Sequence, residues 1–345
     1  MHDLAVLHPP IEDCVVHEKC TEMREIMESR NNRLKQRNSL LLALAALIWG
    51  IAFVAQSTGG AAVGPYTFNC IRSIIGGIVL LPVIRLSDRL HWSRRRPVSR
   101  EDRRMLLIGG AACGIALSVA SNLQQVGIYL GAPVGKAGFL TACYMLIVPV
   151  LGLFLKKKCG WNIWLGIVTA VAGLYLLCIQ GSFLIQFSDI LLILCALSFA
   201  VQILVIDHYA DMVDGVRMAC IEFTVCGLIS AIPMIFVDMG LSVSGIMEWA
   251  SAFADPYAWI PILYAGALSC GVAYTLQIIG QRGLNPTVAS LIMSLESVFS
   301  VLAGWVFLGE ELSGREISGC ALIFGAVLLA QLPMHAKAER KTHLS

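Results

Sequence analysis

The sequence predicts an all-α integral membrane protein whose ten transmembrane helices form two inverted five-helix repeats. Three observations carry that prediction. Charged residues are 14% of the chain against roughly 25% in an ordinary soluble domain, and the mean hydropathy is +0.75. Residues 105 to 155 hold one charge, Lys136, and residues 159 to 206 hold one, Asp189; runs of this length exceed the roughly 20 apolar residues that one helix needs to cross a bilayer. The third observation is an internal similarity, described below.

The spans are helices because stretches such as SLLLALAALIWGIAFVA lack the strict alternation over about 10 residues that a barrel strand requires. Ten are expected, at 39–58, 66–86, 104–128, 134–155, 160–180, 188–206, 216–237, 257–281, 287–308 and 314–333. They divide the chain into a tail (1–38), a first repeat (39–180), a second repeat (188–333) and a closing tail (334–345).

The first tail mixes Glu12, Asp13, Glu18, Glu22, Glu25 and Glu28 with its basic residues and has no apolar core ahead of the first span. It reads neither as a secretory signal nor as an acid-poor transit peptide. MREIMESRNNRLKQRN is compatible with a true start, which leaves residues 1 to 22 as a poorly ordered extension. Within that tail Cys14, His17 and Cys20 make a C-x-x-H-x-x-C pattern that lacks a fourth metal ligand. Cys70, Cys113, Cys143, Cys178, Cys195, Cys220, Cys226, Cys270 and Cys320 lie singly in apolar spans, where a thiol acts as a small hydrophobe.

Orientation follows from the 25 basic residues. Those in the tails, the 2–3 connection (Arg85 to Arg104), the 4–5 connection (Lys156 to Lys158), Arg217 and Arg282 share one side, while only Lys136 and Arg315 fall on the other. The positive-inside rule makes the first side, with both termini, cytoplasmic, and the localisation expected is the cell membrane. The basic run RLHWSRRRPVSR is read as this topology signal and not as a nucleic-acid patch.

Shifting the chain on itself by 153 residues sets SNLQQVGIYLGAP (121–133) on YTLQIIGQRGLNP (274–286), so that Leu123, Gln124, Gly127 and Pro133 meet Leu276, Gln277, Gly280 and Pro286. A shift of 150 aligns FNCIRS with MACIEF and places Arg72 on Glu222. Five spans per half is an odd number, so the second half must cross the membrane in the opposite sense.

The run ASLIMSLESVFSVLAGWVFLGEELSGREISGCALIFGAVLL (289–329), with GKAGFLTACYMLIVPVLGLFL (135–155) and LAALIWGIAFVA (44–55), resembles the EamA-like family of the drug/metabolite transporter superfamily. The resemblance covers about residues 39 to 333. It implies a central cavity reached alternately from each side and a small organic solute, often an amino acid or another metabolite and often exported; the class is better defined than the cargo.

Three charges lie inside spans. Counting 1.5 Å per residue, Arg72 is roughly 9 Å below one face, Glu222 about 10 Å from the other and Glu296 about 15 Å deep, near the centre of a core about 30 Å thick. An intramembrane charge costs at least about 2.5–3.5 kcal/mol unless it is paired or wetted, so such residues face a bundle interior or a cavity. For Arg72 the alternative is snorkelling; for Glu296 it is a protonated acid bonded to a neighbouring helix. Polar residues recur at helical spacing: Tyr274, Gln277 and Gln281 in one span, Ser118, Ser121, Gln125 and Tyr129 in another, and Ser290, Ser294 and Ser297 in a third, a pattern that also serves to glue helices. The candidate solute-binding set is Arg72, Asn69, Trp49, Gln125, Tyr144, Tyr274 and Gln277. Glu296 and, failing that, Glu222 are the candidates for carrying a coupled proton. Trp161, Trp164, Trp259 and Trp305 read as interface anchors.

GAPVGKAG (131–138) fails the P-loop pattern, because three residues and not four separate Gly131 from Gly135 and alanine follows Lys136. All seven histidines lie outside the spans or at their ends. No cofactor, metal or catalytic residue is expected. The reading is therefore a secondary transporter, an exporter of amino-acid-like solutes by alternating access through a central cavity, in contact with the lipid bilayer and a small-molecule substrate, with the proton as the candidate coupling ion; a homodimer is compatible with it. A membrane-embedded enzyme, a channel, or a carrier of sugars, nucleosides or drugs are the alternatives.

Overall fold

The computed structural model describes residues 11–90, 96–156, 160–178, 186–309 and 313–331, and among these all regular structure is helical. The first helix, α1 (Ile11–Val63), is long because no proline interrupts it. It ends at Gly64, whose φ of +91° only glycine adopts without strain, and Pro65 opens α2 (Pro65–Arg89) at the position where a missing N–H costs nothing. Residues 11 to 22 are helical. The Cys14, His17 and Cys20 side chains lie outside the described ones.

Helix α3 (Arg100–Tyr129) starts on a reciprocal Ser99–Asp102 capping box. The fourth predicted span is broken into α4 (Val134–Ala142) and α5 (Tyr144–Phe154), followed by α6 (Trp161–Cys178), α7 (Phe187–Tyr209) and α8 (Gly215–Pro233). A π-helical turn, Met234–Asp238, extends α8 directly after Pro233, whose missing N–H disturbs the ladder. The connection that follows holds a short helix, α9 (Val243–Ser251), which sequence reading leaves as a loop; its Trp249 donates to Thr67 Oγ1 at 3.0 Å.

The eighth predicted span comprises α10 (Pro256–Leu263), a π-helical stretch (Tyr264–Ala273) and α11 (Tyr274–Gly280). The ninth comprises α12 (Pro286–Met293), α13 (Leu295–Ala303) and a π-helical turn (Gly304–Leu308); α14 (Gly314–Gln331) is the last element. Among the described residues, eight helical stretches, from Asn32–Val63 to Pro286–Phe307, are long and apolar enough to cross a membrane, and two shorter apolar helices, Trp161–Leu176 and Ile317–Ala330, accompany them. The chain is a multi-pass, all-α membrane protein.

Helix α2 packs on α8 and on the Tyr264–Ala273 stretch, α3 on α7 and α8, α1 on α13, α7 on α4 and α5, and α6 on α14. Small residues set the closest crossings. A Cβ on Gly50 of α1 would collide with Phe299 and with the backbone of α13, and one on Gly173 of α6 would lie 2.8 Å from the Gly319 carbonyl of α14. The serines of the ninth span serve a second purpose. Ser290, Ser294, Ser297 and Ser300 each donate to the carbonyl three residues before them, at 2.7–2.9 Å. Their hydroxyls are spent on their own helix, across its break at Ser294.

Cys70, Cys113, Cys195, Cys226 and Cys270 are free and buried. Trp161 is 75% and Trp305 52% exposed, positions consistent with contact with lipid headgroups.

Candidate functional site

The breaks in the fourth and ninth spans place two polar side chains at the start of a new helical segment. Tyr144 begins α5 and Glu296 lies in the first turn of α13. Both face a cavity inside the bundle, as do Arg72 of α2 and Trp49 of α1. Tyr274 and Gln277 reach it from α11, directly beyond the π-helical stretch that rotates this helix face relative to an unbroken α-helix.

The walls are aromatic. Trp49 packs edge-on against Tyr274 with ring centroids 4.8 Å apart, Tyr274 in turn against Phe223 at 5.1 Å, and Tyr144 against Phe199 at 6.4 Å. The polar atoms are unusually unengaged for groups so deep. Trp49 Nε1 and Gln56 Oε1 are buried without a hydrogen-bond partner among the described residues, and the Tyr144 hydroxyl and the Glu296 carboxyl are buried against each other. Native interiors rarely leave such atoms unmatched, and a cluster of them around one cavity is what a polar solute or ordered water would satisfy.

Arg72 is buried, with 5% of its surface exposed. Its Nε donates to Asn69 Oδ1 at 2.9 Å and its Cζ lies 5.5 Å from the centroid of the Phe68 ring. Among the described residues no carboxylate forms an ion pair with it. The snorkelling alternative does not describe this side chain, which lines the cavity.

The remaining nominated residues lie behind the cavity wall. Asn69 is fully buried among Ser121, Asn122 and Ser230. Gln125 turns away and donates to the Gln56 carbonyl at 2.9 Å, while its neighbour Gln124 lines the cavity and donates to Thr141 at 3.1 Å. Glu222 is also away from the cavity; Gln202 Nε2 donates to its Oε1 at 2.8 Å, and Gln202 and Gln277 exchange amide contacts at 3.2 and 3.4 Å. Gln202, which sequence reading passes over, thus connects the cavity to a buried carboxyl. A signal existed: it is the sole amide in the 188–206 span. Of the third-span stripe, Ser118 and Ser121 are buried with Gln125, but Tyr129 is 54% exposed. Among the described residues no cluster of three or more His, Cys, Asp or Glu side chains could hold a metal ion.

Two ends of the bundle carry polar ties. At one, Asp238 accepts from the Thr67 backbone N–H at 2.6 Å and Lys136 pairs with Asp189 at 2.8 Å. At the other, Arg217 bridges Asp214 at 2.9 Å and Asp88 at 2.6 Å, and Asn38 donates to the Arg282 carbonyl at 2.7 Å.

Comparison with known proteins adds to this geometry. A family model described as the EamA-like transporter family matches residues 37–179 and again residues 186–332. An uncharacterized transporter of Archaeoglobus fulgidus is 27% identical over 84% of each chain. The uncharacterized transporter YwfM of Bacillus subtilis is 26% identical over 89% of this chain and 98% of its own. The threonine/homoserine exporter RhtA of Escherichia coli K12 is 25% identical, covering 88% of this chain and 93% of its own. A solved crystal structure superposes with a TM-score of 0.66 over 86% of this chain and 96% of that one; at 19% identity this likeness concerns the fold alone.

Proposed function

The chain belongs to the EamA-like transporter family, and on that footing we propose that it is a secondary transporter exporting amino-acid-like solutes by alternating access through the central cavity. The observation that carries the reading is the cavity itself: a guanidinium with no carboxylate partner among the described residues and a buried carboxyl line one aromatic-walled space. A zwitterion matches both signs of charge, whereas a purely cationic drug leaves Arg72 unmatched. The relative named a threonine/homoserine exporter supports an amino acid as the first solute to try.

Alternating access rests on two inverted halves. The family model matches the chain twice, and the packing is consistent with exchange of the halves: the pairing of the second and eighth predicted spans is mirrored by the seventh with the third, and the first with the ninth by the sixth with the fourth. The asymmetry of the basic residues supports a cell-membrane protein with both termini in the cytoplasm. Cys159, which lies outside the described residues, then escapes an impermeant thiol reagent added outside intact cells in a single-cysteine background; ready labelling from outside reverses the orientation.

The direct test is counterflow in proteoliposomes. Vesicles of purified protein preloaded with unlabelled L-threonine or L-homoserine take up the labelled amino acid saturably and release it chemically unchanged. Uptake that does not saturate points to a channel, and conversion of the solute points to an enzyme.

A further inference from the structure

Arg72 can grip a carboxylate with two parallel hydrogen bonds only if its guanidinium plane is held, because the bidentate fork is directional. The face toward α3 and α8 holds it. Nε is occupied by Asn69 Oδ1, one turn earlier on α2, and the Phe68 ring lies against the cation. Asn69 Oδ1 can accept there only while its amide nitrogen points the other way, and that nitrogen is surrounded by acceptors: Ser121 Oγ at 3.0 Å, Asn122 Oδ1 at 2.8 Å and Ser230 Oγ at 3.2 Å.

Two of these acceptors are themselves oriented. Ser121 donates its proton to the Leu117 carbonyl at 2.7 Å, which leaves its lone pairs for Asn69. Asn122 donates its amide to Ser230 Oγ at 3.0 Å, which turns its Oδ1 toward Asn69. A flipped Asn69 would set its NH₂ against the Nε–H of Arg72 and an oxygen against Ser121 and Asn122. Asn69, Ser121 and Ser230 are fully or almost fully buried and none of the four lines the cavity. In this low-dielectric setting each bond of the chain strengthens the next, and breaking one leaves a costly orphan.

We infer that Asn69, locked by Asn122 of α3 and Ser230 of α8, is a positioning residue that fixes the plane of Arg72 and thereby determines selectivity for a carboxylate-bearing solute. The inference rests on the reading of Arg72 as the carboxylate site. Asn69 was nominated from its sequence spacing as a solute contact; the network gives it a role behind the contact. Asn122 and Ser230, which no spacing argument singles out, become specificity determinants that never touch the solute.

The experiment compares binding of L-threonine and L-threoninamide, and of L-homoserine and its amide, to purified protein by calorimetry, reading the ratio of affinities of acid over amide. Wild type favours the acids at least about tenfold, the range of a charge-assisted bond. Asn69→Asp places an internal counter-ion on Arg72 and brings the ratio close to one. Ser230→Ala keeps every charge and lowers the ratio about three- to tenfold, while Ser230→Thr retains the hydroxyl and the wild-type ratio. If Arg72→Gln abolishes the preference but Asn69→Asp and Ser230→Ala retain it, the positioning role is overturned and the carboxylate site stands. If wild type shows no preference, or Arg72→Gln leaves it unchanged, the carboxylate site falls and the positioning role with it.

Discussion

Gln202 Nε2 lies 2.8 Å from Oε1 of Glu222, so the intramembrane carboxyl that does not face the cavity is tied to it through one amide. The second oxygen of Glu222 is buried without a partner. Gln202→Leu removes the donor and leaves both oxygens unmatched, whereas Glu222→Gln keeps shape and an acceptor for Gln202. The leucine variant is expected to lose about 1–3 kcal/mol of stability, and the glutamine variant less. Melting curves of the two purified variants decide it; a more damaging Glu222→Gln contradicts the ordering.

Arg72 has no carboxylate partner, so its substitution breaks no ion pair among the described residues. Arg72→Lys keeps the charge but loses the planar fork, and Arg72→Gln loses both. Apparent affinity for a carboxylate solute in proteoliposomes is expected to fall about tenfold or more for lysine and further for glutamine, with both proteins still inserted. Unchanged affinity in well-assembled variants assigns Arg72 a purely structural role.

Glu296 faces the cavity, buried against the Tyr144 hydroxyl. A carboxyl so placed can take up a proton when the cavity opens to one side and release it on the other. Glu296→Gln cannot titrate. It is expected to abolish accumulation driven by a pH gradient while sparing exchange of solute for solute, both measured in the same vesicles. Accumulation that survives the substitution excludes Glu296 as the coupling site.

Gly50 and Gly325 make a matched pair for the packing argument. A Cβ at Gly50 meets Phe299 and lies 2.9 Å from the Ser300 nitrogen, whereas one at Gly325 meets nothing within 4 Å. Gly50→Ala forces α1 and α13 apart and is expected to cost about 1–3 kcal/mol or more; Gly325→Ala is expected to be neutral or slightly stabilising, alanine being the better helix former. Equal melting temperatures contradict the close crossing.

Much of the candidate site was legible because charge inside lipid is conspicuous. Arg72 and Glu296 stood out as isolated charges in apolar runs, and Trp49, Tyr144, Tyr274 and Gln277 as polar or aromatic groups at mid-span; all six face the cavity. The placement of Gln125 shows what a single span does not contain. Gln124 and Gln125 are adjacent, and a helix separates neighbours by about 100°, so rotation about the α3 axis decides which of them meets the cavity. That rotation is set by packing on α7 and α8, which a span read alone does not contain. The serines of the ninth span matched the small-residue stripe that glues helices, yet their hydroxyls bond to their own backbone; only the side-chain torsion distinguishes the two.

Composition and the spacing of apolar runs determined that this chain lives in a membrane as a bundle of helices, since lipid offers no partner to backbone N–H and C=O groups and forces each span to satisfy its own. They also marked which residues lipid cannot solvate. Only the tertiary structure decided what those residues do with one another. Asn69 turns its oxygen to Arg72 because α3 and α8 surround its nitrogen with acceptors, and Gln202 reaches Glu222 because α7 and α8 both pack against α3. Hydrogen bonds between helices depend on rotation, tilt and breaks such as those at Cys143 and Ser294, and these are fixed by neighbours far away in the chain.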